Sequence, residues 1–131
     1  MNIPILRLGN VLLASVQIDL SDLDAMRFQS DLVKQISETE AMGVLIDITS
    51  LDIVDSYLAR IINDTSSMAK LLGAEVTICG VKPFVAMTLV ELGKDLIGVD
   101  CAFNLEQGLK ILNARIARRG DAQQWSSDQE D

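Results

Sequence analysis

The sequence predicts a single α/β domain with a mostly parallel central sheet. Short β-rich runs alternate along the chain with longer segments whose apolar residues recur every three or four positions. Strands that alternate with helices imply right-handed crossovers and therefore parallel pairing. The chain has 131 residues, of which 49% are hydrophobic and 23% charged, a composition typical of one globular domain rather than of a disordered chain.

The first two strands are predicted to form an antiparallel hairpin. A β-rich run at residues 3–8 and a second at 11–16 are separated only by Gly9 and Asn10, a pair typical of a tight turn. Pro4 has no N–H group to donate to a neighbouring strand, so the first strand is expected at an edge of the sheet.

Four amphipathic segments predict four helices, with further strands between them. The first helix begins at Asp19 or Ser21, and Gly43 is expected to mark its end. The apolar face of this helix comprises Ala25, Phe28, Leu32 and Ile36. The other helices begin at Ser56, at Pro83 and after a cap at Asn104, and the third is expected to end at Gly93. Strands are predicted at 44–48, at 74–80 and, as the weakest signal, at 99–103, giving the order β-β-α-β-α-β-α-(β)-α.

The end of the chain differs in composition from the rest. Residues 120–131 are polar, acidic and without periodicity, so we expect a domain at residues 1–119 followed by a disordered acidic tail.

Composition excludes several classes of partner. The net charge of −8 argues against binding to nucleic acid or to an anionic membrane. No apolar run reaches the roughly 20 residues that span a bilayer, and the N-terminus lacks the features of a signal peptide, so we expect a cytoplasmic protein. Cys79 and Cys101 lie in apolar surroundings and are expected to be buried, reduced thiols.

Enzymatic chemistry would have to rely on carboxylates. The chain has no histidine and no glycine-rich phosphate loop. Asp47, Asp52 and Asp55 follow a buried strand, where ligands of open α/β sheets collect, and this leaves a nucleotide-binding or phosphoryl-transfer domain as an alternative. The favoured interpretation is that Asp52 and Asp55 are loop and cap residues, because aspartate is favoured in both settings, and no cation is expected nearby to hold a substrate phosphate. We therefore expect a protein that is not an enzyme and has no metal or cofactor.

Ser56 has two interpretations that the residues alone leave open. A hydroxyl at a helix N-terminus usually caps the helix, but the same position also favours a phosphate, because free N–H groups and the helix dipole attract negative charge.

Farther along the helix, Arg60, Asn63 and Ser67 fall within a narrow arc around Ser56, opposite the apolar face. This arc predicts a polar, solvent-facing surface.

The sequence resembles a STAS domain, the fold of the anti-sigma factor antagonists. The hairpin, the strand at 45–49 and the Asp55-Ser56 step carry the resemblance, which covers residues 3–118. More narrowly, the segments at 55–60, 68–74, 80–93 and 105–109 are similar to RsbS-type scaffold proteins of the bacterial stressosome.

The sequence departs from simpler relatives at the switch position. Direct anti-sigma factor antagonists usually carry a second hydroxyl residue and a glycine after the serine, whereas Tyr57 and Leu58 stand there in this chain. A direct antagonist therefore remains only an alternative. The longer stressosome scaffolds add an N-terminal sensor domain, which we expect to be absent because the chain starts at its first strand.

The resemblance implies a regulatory role. Such a scaffold co-assembles with sensor-bearing STAS paralogues, forms homodimers or larger oligomers, and sequesters a serine/threonine switch kinase. Phosphorylation of the serine, by position Ser56, releases the kinase, and a serine phosphatase resets the state. Asp55, Arg60, Asn63 and Ser67 become candidate residues for docking the kinase.

Overall fold

Strands and helices alternate in the order that the sequence predicts. The computed structural model describes residues 3–17, 20–91 and 98–129, with the side chains of the last helix described as far as residue 120. In chain order the elements are β1 (Ile5–Leu8), β2 (Val11–Ser15), α1 (Asp22–Thr39), β3 (Gly43–Asp47), α2 (Ser56–Leu71), β4 (Glu75–Cys79), α3 (Pro83–Glu91), β5 (Val99–Ala102) and α4 (Leu105–Gln129).

The sheet confirms the predicted α/β class and the predicted hairpin. Its strand order is β1-β2-β3-β4-β5. The pair β1–β2 is antiparallel and closes at Leu8 and Val11, with Gly9 in the left-handed region at a φ of 63°. The pairs from β2 to β5 are all parallel. All four parallel strands therefore end at one edge of the sheet, called here the carboxyl edge, and begin at the opposite, amino edge.

The helices lie on both faces of the sheet. Buried side chains of α1, α2 and α3 pack on one face, and those of α4, including Leu112 and Ile116, pack on the other. Sheet strands covered on both faces are nearly continuous in apolar residues. This explains why Val44, Leu45 and Ile46 of β3 are all completely buried.

Helix α1 has the predicted start and the predicted buried face, but not the predicted end. The hydroxyl of Ser21 accepts a hydrogen bond from the N–H of Asp24, and Ala25, Phe28, Leu32 and Ile36 are buried. The helix ends at Thr39, where Glu40 takes a left-handed conformation and its N–H bonds to the carbonyl of Ile36.

Gly43 is therefore not the helix stop, and that prediction was wrong. It is the first residue of β3, and a Cβ atom there would lie 2.8 Å from Ile116 and 3.0 Å from Leu112. The glycine leaves room for side chains of α4, which packs directly against the start of β3.

Helix α4 begins as predicted and extends farther than predicted. The side-chain oxygen of Asn104 accepts from the N–H of Gln107 at 2.8 Å, which confirms the cap. The helix then continues to Gln129, so residues 120–129 of the expected disordered tail are helical. The segment contains no proline, and helical backbone hydrogen bonds do not require an apolar side-chain pattern. The division into a domain at 1–119 and a tail at 120–131 stays a prediction.

Two predicted helix boundaries are not tested. Asp19 as an alternative start of α1 and Gly93 as the end of α3 both lie outside the described residues.

Candidate functional site

The loop between β3 and α2 lies at the carboxyl edge and is held mainly by short-range hydrogen bonds. One carboxylate oxygen of Asp47 accepts from the N–H of Thr49 at 3.0 Å and from its hydroxyl at 2.5 Å. The N–H of Ile48 continues the pairing with β4 by donating to the carbonyl of Cys79 at 3.0 Å. Asp47 therefore organises the loop that leads to Ser56.

A glycine on the neighbouring strand end makes room for this loop. Gly80 follows β4 with a φ of 79°, and a Cβ atom there would lie 2.7 Å from the Cα atom of Thr49. Such contact with backbone cannot be relieved by rotating a side chain. Gly80 thus lets the loops after β3 and β4 lie against each other.

The cap of α2 is Asp55 and not Ser56. A carboxylate oxygen of Asp55 accepts from the N–H of Leu58 at 2.7 Å, in an extended conformation typical of an N-cap residue. Ser56 is the first residue of the helix, and its side chain is exposed. The capping interpretation of Ser56 was therefore wrong, because the preceding residue, also a favourable cap, occupies that position.

A cation does lie close to the predicted carboxylate group. The ammonium group of Lys82, in the loop before α3, hydrogen-bonds to the carboxylate of Asp52. We expected no cation here, because 30 positions separate the two residues in the sequence. Lys82 is the site residue that sequence reasoning missed, and only the parallel pairing of β3 and β4 brings it to this loop.

The carboxylates show no shared ligand site. Asp47 bonds within its own loop, Asp52 pairs with Lys82, and Asp55 caps α2. Among the residues that the structure describes, no group of three or more aspartate, glutamate, cysteine or histidine side chains is placed to hold a metal ion. The geometry therefore gives no support to a phosphoryl-transfer centre built on these aspartates.

The polar arc of α2 is only partly a surface. Ser56, Arg60 and Ser67 are exposed, as predicted. Asn63 is only 3% exposed, and neither its amide nitrogen nor its amide oxygen has a hydrogen-bond partner. The prediction of an exposed Asn63 was wrong, because α2 packs against α1, α3 and β4 and is buried around more than half of its circumference.

The two thiols differ in exposure. Cys79 is completely buried, and burial, followed by the charge of Asp47 and a hydrogen bond to it, raises the pKa of this thiol to about 12. Cys101 is exposed on the edge strand β5, contrary to the prediction. Burial of part of its side chain, with a smaller contribution from Asp100, raises its pKa as well. Both groups are thus thiols rather than reactive thiolates at neutral pH.

None of the helices in the described ranges combines the length and apolar character needed to cross a membrane.

Comparisons with known proteins point to one family. The family model described as "STAS domain" matches residues 2–106. The RsbT co-antagonist protein RsbRA of Bacillus subtilis is 34% identical over 86 residues, a match that covers 66% of this chain and 31% of RsbRA. This chain therefore spans about a third of the length of that relative.

Two solved structures extend the similarity to nearly the whole fold. RsbS of Moorella thermoacetica, in a variant with glutamate in place of one serine, has 34% sequence identity and a TM-score of 0.81 over 90% of this chain and 99% of its own. A chain of a structure described as the molecular architecture of the stressosome has 36% identity and a TM-score of 0.77 over 85% of this chain and 96% of its own.

Proposed function

Because this chain belongs to the STAS domain family, with stressosome proteins among its relatives, we propose that it is a stressosome scaffold that sequesters a serine/threonine switch kinase. Phosphorylation of Ser56 releases the kinase in this proposal. The curated relative is named as a co-antagonist of RsbT, so a protein of that kind is the partner that we propose for the kinase role.

The observation that carries the proposal is that Asp55, and not Ser56, caps α2. Asp55 supplies the cap of α2, so the exposed hydroxyl of Ser56 is not needed to hold the helix. A capping serine would have to give up its hydrogen bond before it reacted. Ser56 can enter a kinase active site without that cost.

A relative has been solved with a negative charge in place of one of its serines. The RsbS structure from Moorella thermoacetica carries glutamate in place of a serine, which puts a negative charge where the hydroxyl was. We propose that phosphate on Ser56 acts in the same sense in this chain.

Electrostatics explains how the phosphate weakens binding. Phosphorylation adds about −1.5 to −2 charge and three acceptor oxygens. The helix dipole and Lys82, in the adjoining loop, attract this charge. The carboxylate of Asp55 precedes the modified residue and repels it, and this carboxylate already binds the N–H of Leu58. A kinase packed against this helix end would have to desolvate the new dianion. A loss of about 3 kcal/mol lowers affinity more than a hundredfold.

The docking surface that we propose consists of exposed residues around the switch. Asp55, Arg60 and Ser67 remain candidates because their side chains are exposed. Asn63 is removed from this surface because it is buried. The further partners are sensor-bearing STAS paralogues, additional copies of this chain and a serine phosphatase, in a cytoplasmic assembly without nucleic acid or membrane.

The proposal is tested by titrating the cognate switch kinase into the full chain before and after stoichiometric phosphorylation, using isothermal calorimetry. We expect the phosphorylated form to bind at least a hundredfold more weakly, and Ser56→Ala, incubated with kinase and ATP, to keep the affinity of the unmodified protein. Equal affinity of the two forms would refute the switch. Binding of an anti-sigma factor instead of the kinase would favour the direct antagonist.

The same samples test whether the effect is local. We expect phosphorylation to shift backbone amide resonances in the β3–α2 loop, the first turn of α2 and the loop at Lys82. Comparable shifts at the amino edge would show that the phosphate acts by refolding the domain.

A further inference from the structure

A group of charged residues joins four elements at the amino edge, opposite Ser56. It consists of Lys70 on α2, Glu75 on β4, Asp100 on β5, and Arg115, Arg118 and Arg119 on α4. Glu75 and the three arginines line an open depression of about 420 Å³, called here the arginine depression.

One carboxylate in this group pairs with a single arginine, and the other lies among three cations. Asp100 is engaged by Arg115, with N···O distances of 2.6 and 3.2 Å. The carboxylate of Glu75 is 16% exposed and lies 3.6 Å from Arg115, 3.7 Å from Arg119 and 3.9 Å from Lys70. These three distances exceed hydrogen-bonding range, so Glu75 balances charge without using up the N–H donors of the arginines.

Arg118 adds a further cation to this group. Its side chain is exposed at the depression and has no ion-pair or hydrogen-bond partner within the ranges that the structure describes. Four cations therefore stand against two carboxylates on a chain whose net charge is −8. The depression is a positively charged feature of an acidic protein, and it favours an anionic occupant.

The sequence contains a segment with the complementary charge. Residues 121–131 carry four carboxylate side chains and no lysine or arginine. Within one copy the backbone of α4 continues without interruption to Gln129, so the helix carries the later part of this segment away from its own depression. Asp128 follows Arg118 by ten residues on this helix, which is about 15 Å along the axis and away from the sheet edge.

We propose that the arginine depression of one copy binds the acidic segment, residues 121–131, of a second copy. Each chain carries both the depression and the acidic segment. Two copies related by a two-fold axis can therefore each bind the other's segment, which gives a closed, isologous pair. The contact lies at the opposite edge from Ser56 and leaves that edge free. It does not depend on the proposal for Ser56 and can fail without affecting it.

Exchange of charges between two variants tests this pairing in full-length protein. Arg118→Glu cancels the excess positive charge of the basic side, leaving three cations against three carboxylates. The triple variant Asp128→Lys, Glu130→Lys, Asp131→Lys changes the acidic side from four carboxylates to one carboxylate and three lysines. In the first variant alone the acidic segment meets a depression without excess positive charge, and in the second alone lysines meet arginines. In an equimolar mixture, one variant's new glutamate faces the other's new lysines, while the unmodified halves of the two proteins face each other.

The measurement is sedimentation velocity over a concentration series at 50 mM and 500 mM NaCl. We expect the unmodified chain to self-associate more weakly at high salt, each variant alone to associate at least tenfold more weakly, and the mixture to recover association. Arg27→Glu, an equal charge reversal on the exposed side of α1, should leave association unchanged. Circular dichroism confirms that each variant is folded.

Three results would overturn the proposal. The first is that the chain without substitutions is monomeric at every concentration. The second is an Arg118→Glu variant that associates as well as Arg27→Glu. The third is a mixture that shows no recovery, which would mean that something other than the acidic segment occupies the depression.

Discussion

The two edges of the sheet use polar residues in opposite ways. At the carboxyl edge, the carboxylates of Asp47 and Asp55 accept hydrogen bonds that span only two or three positions and hold a loop in place, and the long-range pair of Lys82 with Asp52 lies on the surface, with Asp52 80% exposed. At the amino edge, Lys70 reaches the carbonyl of Gly98 and Arg119 reaches that of Gly73, 28 and 46 positions away. The first edge is therefore locally organised around an exposed serine, whereas the second ties distant elements together. Changes near Ser56 should stay local, and changes at the amino edge should affect the whole domain.

Gly80→Ala should cause the largest loss of stability. It is the one change proposed at the carboxyl edge whose effect should not stay local. The new Cβ atom would lie 2.7 Å from the Cα atom of Thr49 at a φ of 79°, so strain and overpacking combine to about 3 kcal/mol of lost stability. Urea denaturation measures the loss. Gly73→Ala is the control, because Gly73 has a similar φ of 93° with nothing within 4 Å and should cost only about 1 kcal/mol. Equal costs would contradict the close approach of the two loops.

Glu75→Gln should show most clearly that charged residues at the amino edge contribute more to stability than those at the carboxyl edge. It removes the carboxylate that lies between Lys70, Arg115 and Arg119, and a loss of about 2 kcal/mol follows from the unbalanced cations in a partly buried site. Asp52→Asn removes the ion pair with Lys82 at the carboxyl edge, where Asp52 is 80% exposed, and should cost at most about 0.5 kcal/mol. The unfolding free energies in urea decide the matter, and a larger loss for Asp52→Asn would reverse the comparison.

Asn63→Leu should stabilise the protein. The asparagine is buried with two unpaired polar atoms, and an apolar side chain of similar size removes a desolvation cost of about 1–2 kcal/mol. Thermal and urea unfolding both report the change. Because Asn63 is not exposed, kinase affinity should stay the same, and a loss of kinase binding with retained stability would return Asn63 to the docking surface.

Asp55→Ala and Ser56→Ala should have different effects although the residues are adjacent. Loss of the Asp55 cap should cost about 1 kcal/mol, because the N–H of Leu58 loses its partner. Ser56→Ala should change the free energy of unfolding by less than about 0.5 kcal/mol, as is usual at an exposed site without partners. Equal destabilisation by the two substitutions would mean that Ser56 also holds the helix end.

Periodicity and turn chemistry were enough to predict the framework of this fold. The hairpin at Gly9, the buried face of α1 and the cap at Asn104 depend on residues close in sequence, and each was confirmed. The ion pair between Lys82 and Asp52 depends on strand pairing and could not be read from sequence spacing.

The errors within the candidate site have equally specific causes. A helical wheel gives the direction of Asn63 relative to its neighbours, but not how many elements surround the helix. Asp55 and Ser56 are both favourable caps, and only the backbone geometry decides between them. The assignment of Ser56 as phosphoacceptor came from family resemblance. The structure adds that its side chain is exposed and that Asp55 provides the cap.

Phosphate mapping by mass spectrometry tests the central claim most directly. The full chain is incubated with the cognate switch kinase and ATP, digested and sequenced by fragmentation, with Ser56→Ala treated in parallel. We predict a single phosphate on Ser56 and no incorporation into Ser56→Ala. An unmodified Ser56, or equal incorporation into the alanine variant, would contradict the account.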